Sequence, residues 1–338
     1  MKYALSIALA TIALLATFVF GIMAGAAPLP VTGILSELTQ GFVDPLLGNP
    51  ESFTDRQAAI FWSIRLPRVV LAALVGATLA IAGAAYQAVF RNPLADPYLL
   101  GVSSGAALSV TVGIMLGISS ATVPWIGFFG GILAVVATYL AGSSAGDRSG
   151  PLTVVLAGVA VAAFANAVQS YLLQKNSETL RRVYGWMLGQ LGTATWSSVV
   201  AMVVPAVLGV GAILVAAKLL DVMTLGDMEA SSLGVNPRLV RFALVVAATL
   251  ATSAAVSVSG LIGFVGIIVP HTIRLIVGPG HVLLLPLTAL WGATFLSVAD
   301  IFARVALAPE EIPVGVVTAA LGAPFFLFLL HRHGRSRS

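Results

Sequence analysis

Ten apolar stretches, nearly free of charge, recur from one end of this 338-residue chain to the other. A spanning helix needs about 20 mostly apolar residues. Breaks at charged and Pro/Gly-rich points place candidates at 3–26, 62–90, 98–117, 123–142, 151–173, 194–217, 239–258, 261–277, 284–303 and 313–331. Only 9% of the residues are charged, against about 25% in soluble domains. The solvent for most of this chain is therefore lipid. A lipid-exposed backbone must satisfy its own hydrogen bonds, and runs of this length do so as helices. The expected fold is an all-α polytopic membrane protein with ten transmembrane helices, forming one membrane domain over residues 1–338. The second run is longer than a bilayer requires, so it tilts or protrudes. The seventh and eighth runs are separated only by Ser259-Gly260.

The net charge of +4 is spread among membrane-length segments. Its basic residues read as topology determinants and docking points rather than a nucleic-acid surface. An even number of spans puts both termini on one side. If that side is the cytoplasm, the inner segments hold Lys2, Arg91, Arg148, Lys218, Arg238, Arg241, Arg274, Arg332, Arg335 and Arg337. The outer segments hold Arg56, Arg65, Arg68, Lys175, Arg181, Arg182 and Arg304. This positive-inside bias predicts cytoplasmic termini. The apolar N-terminal stretch exceeds a signal-peptide core and reads as a retained first span. There is no cysteine, which excludes disulfides, thiolate metal sites and thiol catalysis.

Charges at a membrane edge usually have partners, and Arg65-Leu-Pro-Arg68 sets two arginines at one end of the second run. At its other end lies the Pro/Asn corner Arg91-Asn-Pro-Leu-Ala-Asp-Pro97. Between them Ala72, Gly76 and Ala80 form a ridge that lets helix backbones approach. Asp300 and Arg304 stand four apart, on one helical face, and are expected to pair. The four histidines have no spacing that builds a metal site with carboxylates, and no metal site is expected. His271, beside Pro270, is expected to be structural. No Walker-type glycine loop is present. The segment Leu225-Gly-Asp-Met-Glu-Ala-Ser-Ser-Leu-Gly-Val235 reads as a short amphipathic helix. Asp227 and Glu229 lie near its start, Gly234 stops it, and Met228, Ala230 and Leu233 offer apolar contacts. It is either a cap on the bundle or a knob for a partner's groove.

These motifs resemble one permease family. The resemblance rests on Arg-Leu-Pro-Arg at 65–68, Asn-Pro-Leu-Ala-Asp-Pro at 92–97, Gly-Val-Ser-Ser-Gly at 101–105 and the 225–234 segment. It extends through Gly-Phe-Val-Gly-Ile-Ile-Val-Pro-His at 263–271, Leu-Pro-Leu at 285–287, Ala-Asp-Ile-Phe-Ala-Arg at 299–304 and the Pro313 to Phe326 run. The chain is similar to the FecCD, or BtuC-like, permeases of type II ATP-binding-cassette importers for iron-siderophores, haem or cobalamin.

The resemblance implies a permease rather than an enzyme, in a bacterial cytoplasmic (inner) membrane. The implied assembly adds a second permease subunit, expected as a homodimer, two ATPase subunits that bind ATP and Mg, and an external substrate-binding protein. This chain itself would hold no cofactor. Arg65, Arg68 and Arg304 match the arginines that receive the binding protein's glutamates. Leu225, Gly226, Asp227, Met228, Glu229, Ala230, Leu233 and Gly234 match the coupling helix for the ATPase. Asn92, Pro93 and Leu94 match a cytoplasmic gate, with Pro151 and Leu152 as its weaker second element. Asn166 and Gln169 are implied polar contacts of the translocation path. An iron chelate is the expected cargo and cobalamin the alternative. A proton-coupled secondary transporter is the competing class, but it needs intramembrane acids, and the spans offer only Asp300 near an edge.

Overall fold

A computed structural model describes residues 2–25, 29, 33–34, 54–143 and 151–335. Among these the chain is helical, with no strand. In chain order the helices are α1 (Lys2–Met23), α2 (Asp55–Ile60), α3 (Leu66–Val89), α4 (Val102–Met115), α5 (Val123–Ser143), α6 (Pro151–Gln174) and α7 (Ser177–Met187). They continue as α8 (Trp196–Val215), α9 (Ala217–Leu225), α10 (Asp227–Ser232), α11 (Pro237–Ser259), α12 (Val265–Val277), α13 (His281–Val305) and α14 (Val314–Arg335). A π-helical turn, Phe61–Arg65, joins α2 to α3, and a 3₁₀ turn, Pro97–Leu100, precedes α4. Pro67 has no N–H to donate back into the preceding turn. The wider i→i−5 bond from Leu66 N to Phe61 O sits directly before it, as expected where a proline interrupts the ladder.

Each of the ten expected runs carries an apolar helix. Seven are long and apolar enough to cross a membrane by length and composition, and Val102–Met115 and Val265–Val277 are shorter. The shortening has a local cause in both cases. Gly101, at φ 84°, ends the 3₁₀ turn and starts α4 late. Gly260 (φ 71°) and Phe264 (φ 68°) hold residues 260–264 out of helix, so the soft boundary at Ser259-Gly260 is a five-residue break. Three helices, α2, α7 and α9, are not among the expected runs. Asn176 caps α7 by accepting from Thr179 N at 3.0 Å.

The hub is α3, buried on nearly every side and packed against α8, α11, α12 and α13. Its small-residue ridge permits this. A Cβ at Gly76 would overlap the Gly292 carbonyl of α13, and one at Gly83 would overlap the Gly266 carbonyl of α12. Backbones in direct contact supply the dispersion that replaces a hydrophobic drive in lipid. By contrast, α6 leaves Leu152, Leu156, Val159 and Phe164 exposed.

Candidate functional site

Charged side chains gather at opposite ends of the antiparallel α3–α13 pair. At the first end, Arg68 donates from Nε to Asp300 Oδ1 (3.1 Å) and from Nη2 to the same oxygen (2.9 Å). Its Nη1 and Nη2 also reach Glu311 Oε1 (3.0 Å) and Oε2 (2.9 Å). Arg304 Nη2 closes on Asp300 Oδ2 at 3.2 Å, realising the expected pair. Two guanidiniums thus enclose a carboxylate that is 1% exposed, the neutralised arrangement a buried acid requires.

The other contacts of this end belong to α1. Arg65 Nη1 donates to the carbonyls of Ile22 and Met23, and Arg304 Nη1 to those of Gly21 (3.0 Å) and Ala24 (3.3 Å). These are the unpaired carbonyls of a helix C-terminus, where cations are also favoured by the helix dipole. Arg65, Arg68 and Arg304 are therefore all buried and turned inward. Of the five charged side chains in the cluster, Glu311 alone is substantially exposed, at 46%. Sequence reasoning missed Glu311; it lies 243 residues from Arg68 in a turn with no helical register to link them.

At the second end, Asp227 of α10 accepts from Arg91 Nη2 (3.1 Å) and from Arg241 Nη2 (2.8 and 2.9 Å). The neighbouring α9 is tied to α13: Asp221 Oδ1 accepts from His281 N (2.9 Å) and contacts its Nδ1 at 2.6 Å. Within the expected 225–235 helix, Asp227–Ser232 forms a helix of its own. Leu225 ends α9, Gly226 (φ 132°) is the link, and Leu233 and Gly234 (φ 79°) form the stop. Met228 and Leu233 are exposed while Ala230 is fully buried, so Ala230 packs inward and offers nothing outward.

The corner beyond Arg91, at the second end, is braced by its own side chains on its own backbone. Asn92 Oδ1 accepts from Leu94 N (2.9 Å), and Asp96 Oδ1 caps Tyr98 N (2.7 Å). Asn92 and Pro93 are exposed. Leu152 is exposed at the start of α6, which opens with Pro151. A mainly apolar, broadly open chamber of about 560 Å³ lies between this corner, α6 and α12, lined by Asp96, Tyr98, Leu99, Asn166, Phe264 and Ile267 among others. Burial against this apolar wall pushes the Asp96 carboxyl up to about 6. Tyr98 Oη donates to Ile262 O at 2.9 Å.

Asn166 is exposed and lines this chamber. Gln169 does not: it is buried and donates to Thr111 Oγ1 at 3.0 Å, a packing contact between α6 and α4. His271 is buried with its ring edge-on to Phe325. Among the described residues no three His, Asp or Glu side chains gather as a metal site would need.

Comparison with known proteins gives these features a context. The chain is 42% identical to a cobalamin import system permease of Halobacterium salinarum, over 91% of this chain and 81% of that one. It is 41% identical to the hemin transport system permease of Yersinia pestis, over 85% of this chain and 87% of the other. The fold superposes on a metal-chelate-type ABC transporter solved in an inward-facing conformation. That match has a TM-score of 0.82 and 30% identity, covering 97% of this chain and 99% of that one. The family model for FecCD transport proteins matches residues 13–332, so nearly the whole chain, both charged ends included, belongs to the FecCD transport family.

Proposed function

We propose that this chain is the membrane-spanning permease subunit of an ATP-binding-cassette importer that carries an iron chelate, haem or a ferric siderophore, into the cytoplasm. It works as one permease domain in a bacterial cytoplasmic membrane with both termini inside. The Arg68 end then faces outward and the Asp227 end inward. Its partners are a second copy of itself, two ATPases that bind the ATP and Mg, and an external binding protein. The chain holds no cofactor and performs no catalysis.

One observation carries this reading. A single packed helix pair, α3–α13, bears an arginine cluster at one end and an acid-tied segment with exposed Met228 and Leu233 at the other. Carboxylates of the binding protein would dock on Arg65, Arg68 and Arg304, giving orientation and capture rate more than affinity. For this docking the Glu311 turn must release Arg68, and the end of α1 must release Arg65 and Arg304. Met228 and Leu233 would seat in the ATPase. Asn92, Pro93 and Leu94, with Pro151 and Leu152, would form the inner gate, and Asn166 would face the path. ATP and the loaded binding protein each shift the permease through their differential affinity for its two states.

Uptake by proteoliposomes containing the permease, its ATPase and its binding protein tests the proposal. ATP-dependent accumulation of haem or a ferric siderophore is expected. Uptake driven by a proton gradient without the ATPase would overturn it. Cobalamin is the second reading, favoured by the 42% identical cobalamin import permease; the same vesicles offered cyanocobalamin decide between them.

A further inference from the structure

Three helices end in the same backbone motif, α4 and α10 with glycine (Gly117 and Gly234) at its left-handed position and α3 with arginine. At the end of α10, Gly234 N bonds to Ser231 O (3.0 Å) and Val235 N to Ala230 O (3.0 Å), with Gly234 at φ 79°. At the end of α3, Arg91 N bonds to Ala88 O (3.2 Å) and Asn92 N to Gln87 O (3.1 Å), with Arg91 at φ 49°. All three are Schellman caps, whose left-handed residue is ordinarily glycine because a Cβ is strained there. The α3 cap carries arginine instead. In that conformation Arg91 reaches Asp227, its Nη2 lying 3.1 Å from Asp227 Oδ1.

Asp227 is held from the other side by Arg241. That side chain is largely buried, and its Nε has no hydrogen-bond partner among the described residues. Gly226, at φ 132°, places the segment so close that a Cβ there would overlap Glu229 and approach Arg91 Nη1 at 3.5 Å. Beyond Arg91 the corner is braced internally, by the Asn92 side chain on Leu94 N and the Asp96 side chain on Tyr98 N.

We propose that Arg91, Asp227 and Arg241 form a strut that makes the 226–235 segment and the Asn92–Pro97 corner move as one body, with Arg91 as its positioning residue. Arg91 and Asp227 are both partly exposed, at 39% and 44%, and pairs of that kind add little to stability. The strut therefore serves geometry rather than folding. Its role in transport rests on the importer reading; its role as a tie between two segments does not.

Arg91→Gly separates the alternatives, because glycine relieves the strained cap while deleting the strut. Arg91→Lys keeps a cation at the same place. In the permease alone, amide exchange across 226–235 is expected to rise in Arg91→Gly and to stay near wild type in Arg91→Lys, with melting temperatures within about 2 °C of each other. In the full transporter, substrate moved per ATP hydrolysed is expected to fall at least about fivefold in Arg91→Gly, the low end for coupled sites. Unchanged exchange at 226–235 in Arg91→Gly overturns the strut. Faster exchange with an unchanged transport ratio overturns its part in coupling. A wild-type complex that does not couple ATP to uptake sinks the importer reading while leaving the exchange result standing.

Discussion

Arg68 grips Asp300 through two nitrogens, Nε at 3.1 Å and Nη2 at 2.9 Å, across 232 residues of sequence. Because Asp300 also holds Arg304 at 3.2 Å, its loss takes the one buried carboxylate from two buried guanidiniums, leaving Arg68 on the exposed Glu311 and Arg304 on the α1 carbonyls. Breaking a buried pair from one side costs about 3–5 kcal/mol, and Asp300→Ala is expected within or above that range. Glu311→Gln, at the exposed side of Arg68, should cost under about 1 kcal/mol. Thermal unfolding of the permease in nanodiscs measures both; equal losses would show that Asp300 does not anchor the cluster.

Glu311 occupies the fork of Arg68 that a docking carboxylate would need. Under the proposed docking, an incoming glutamate must displace it. Glu311→Gln is therefore expected to tighten binding-protein association by about threefold to tenfold, equivalent to about 0.6–1.4 kcal/mol. Arg68→Glu should weaken it through like-charge repulsion. The dissociation constant on immobilised nanodiscs reads both effects. A weaker complex with Glu311→Gln would make Glu311 part of the docking surface, not its competitor.

The helix pair that joins the two ends depends on glycines without room for a side chain. Gly76→Ala and Gly83→Ala each drive a Cβ into a facing carbonyl, of Gly292 and Gly266 respectively. Overpacking of this kind costs about 1–3 kcal/mol. Gly211 of α8 has open space around it; Gly211→Ala should be neutral or stabilise by up to about 1 kcal/mol, from helix propensity. Melting temperatures of the three variants give the comparison, and equal behaviour would mean that the close contacts are dispensable.

What was legible in the sequence follows the range of the forces involved. The ten apolar runs, the Asp300–Arg304 pair at helical spacing and the stop at Gly234 are local, and all three appear where expected. The short lengths of α4 and α12 depend on positive φ at Gly101, Gly260 and Phe264, and Phe264 gives no such signal by its residue type. The direction in which the arginines face was not legible either. Whether Arg65 points outward or onto the carbonyls of Ile22 and Met23 depends on where α1 packs. Gln169 shows the same limit: its amide suits a path equally well, but the facing Thr111 Oγ1 takes it.

Asp96 gives the chamber a pH signature. Burial lifts its carboxyl from an ordinary 3.8 to about 6, so between these values the folded chain binds more protons than the unfolded one. Stability is then greatest below the unfolded value and declines as pH rises through the window from about 4 to about 6. The total effect is up to about 3 kcal/mol for a shift of this size. Asp96→Asn removes the charge yet keeps an oxygen to accept from Tyr98 N, the cap observed at 2.7 Å. Wild type should therefore lose melting temperature relative to Asp96→Asn between pH 4 and pH 6, with no further change up to pH 7.5. Unfolding scans of the two proteins across that range measure the difference directly, and a constant offset would mean that Asp96 ionises in the chamber as freely as it does in water.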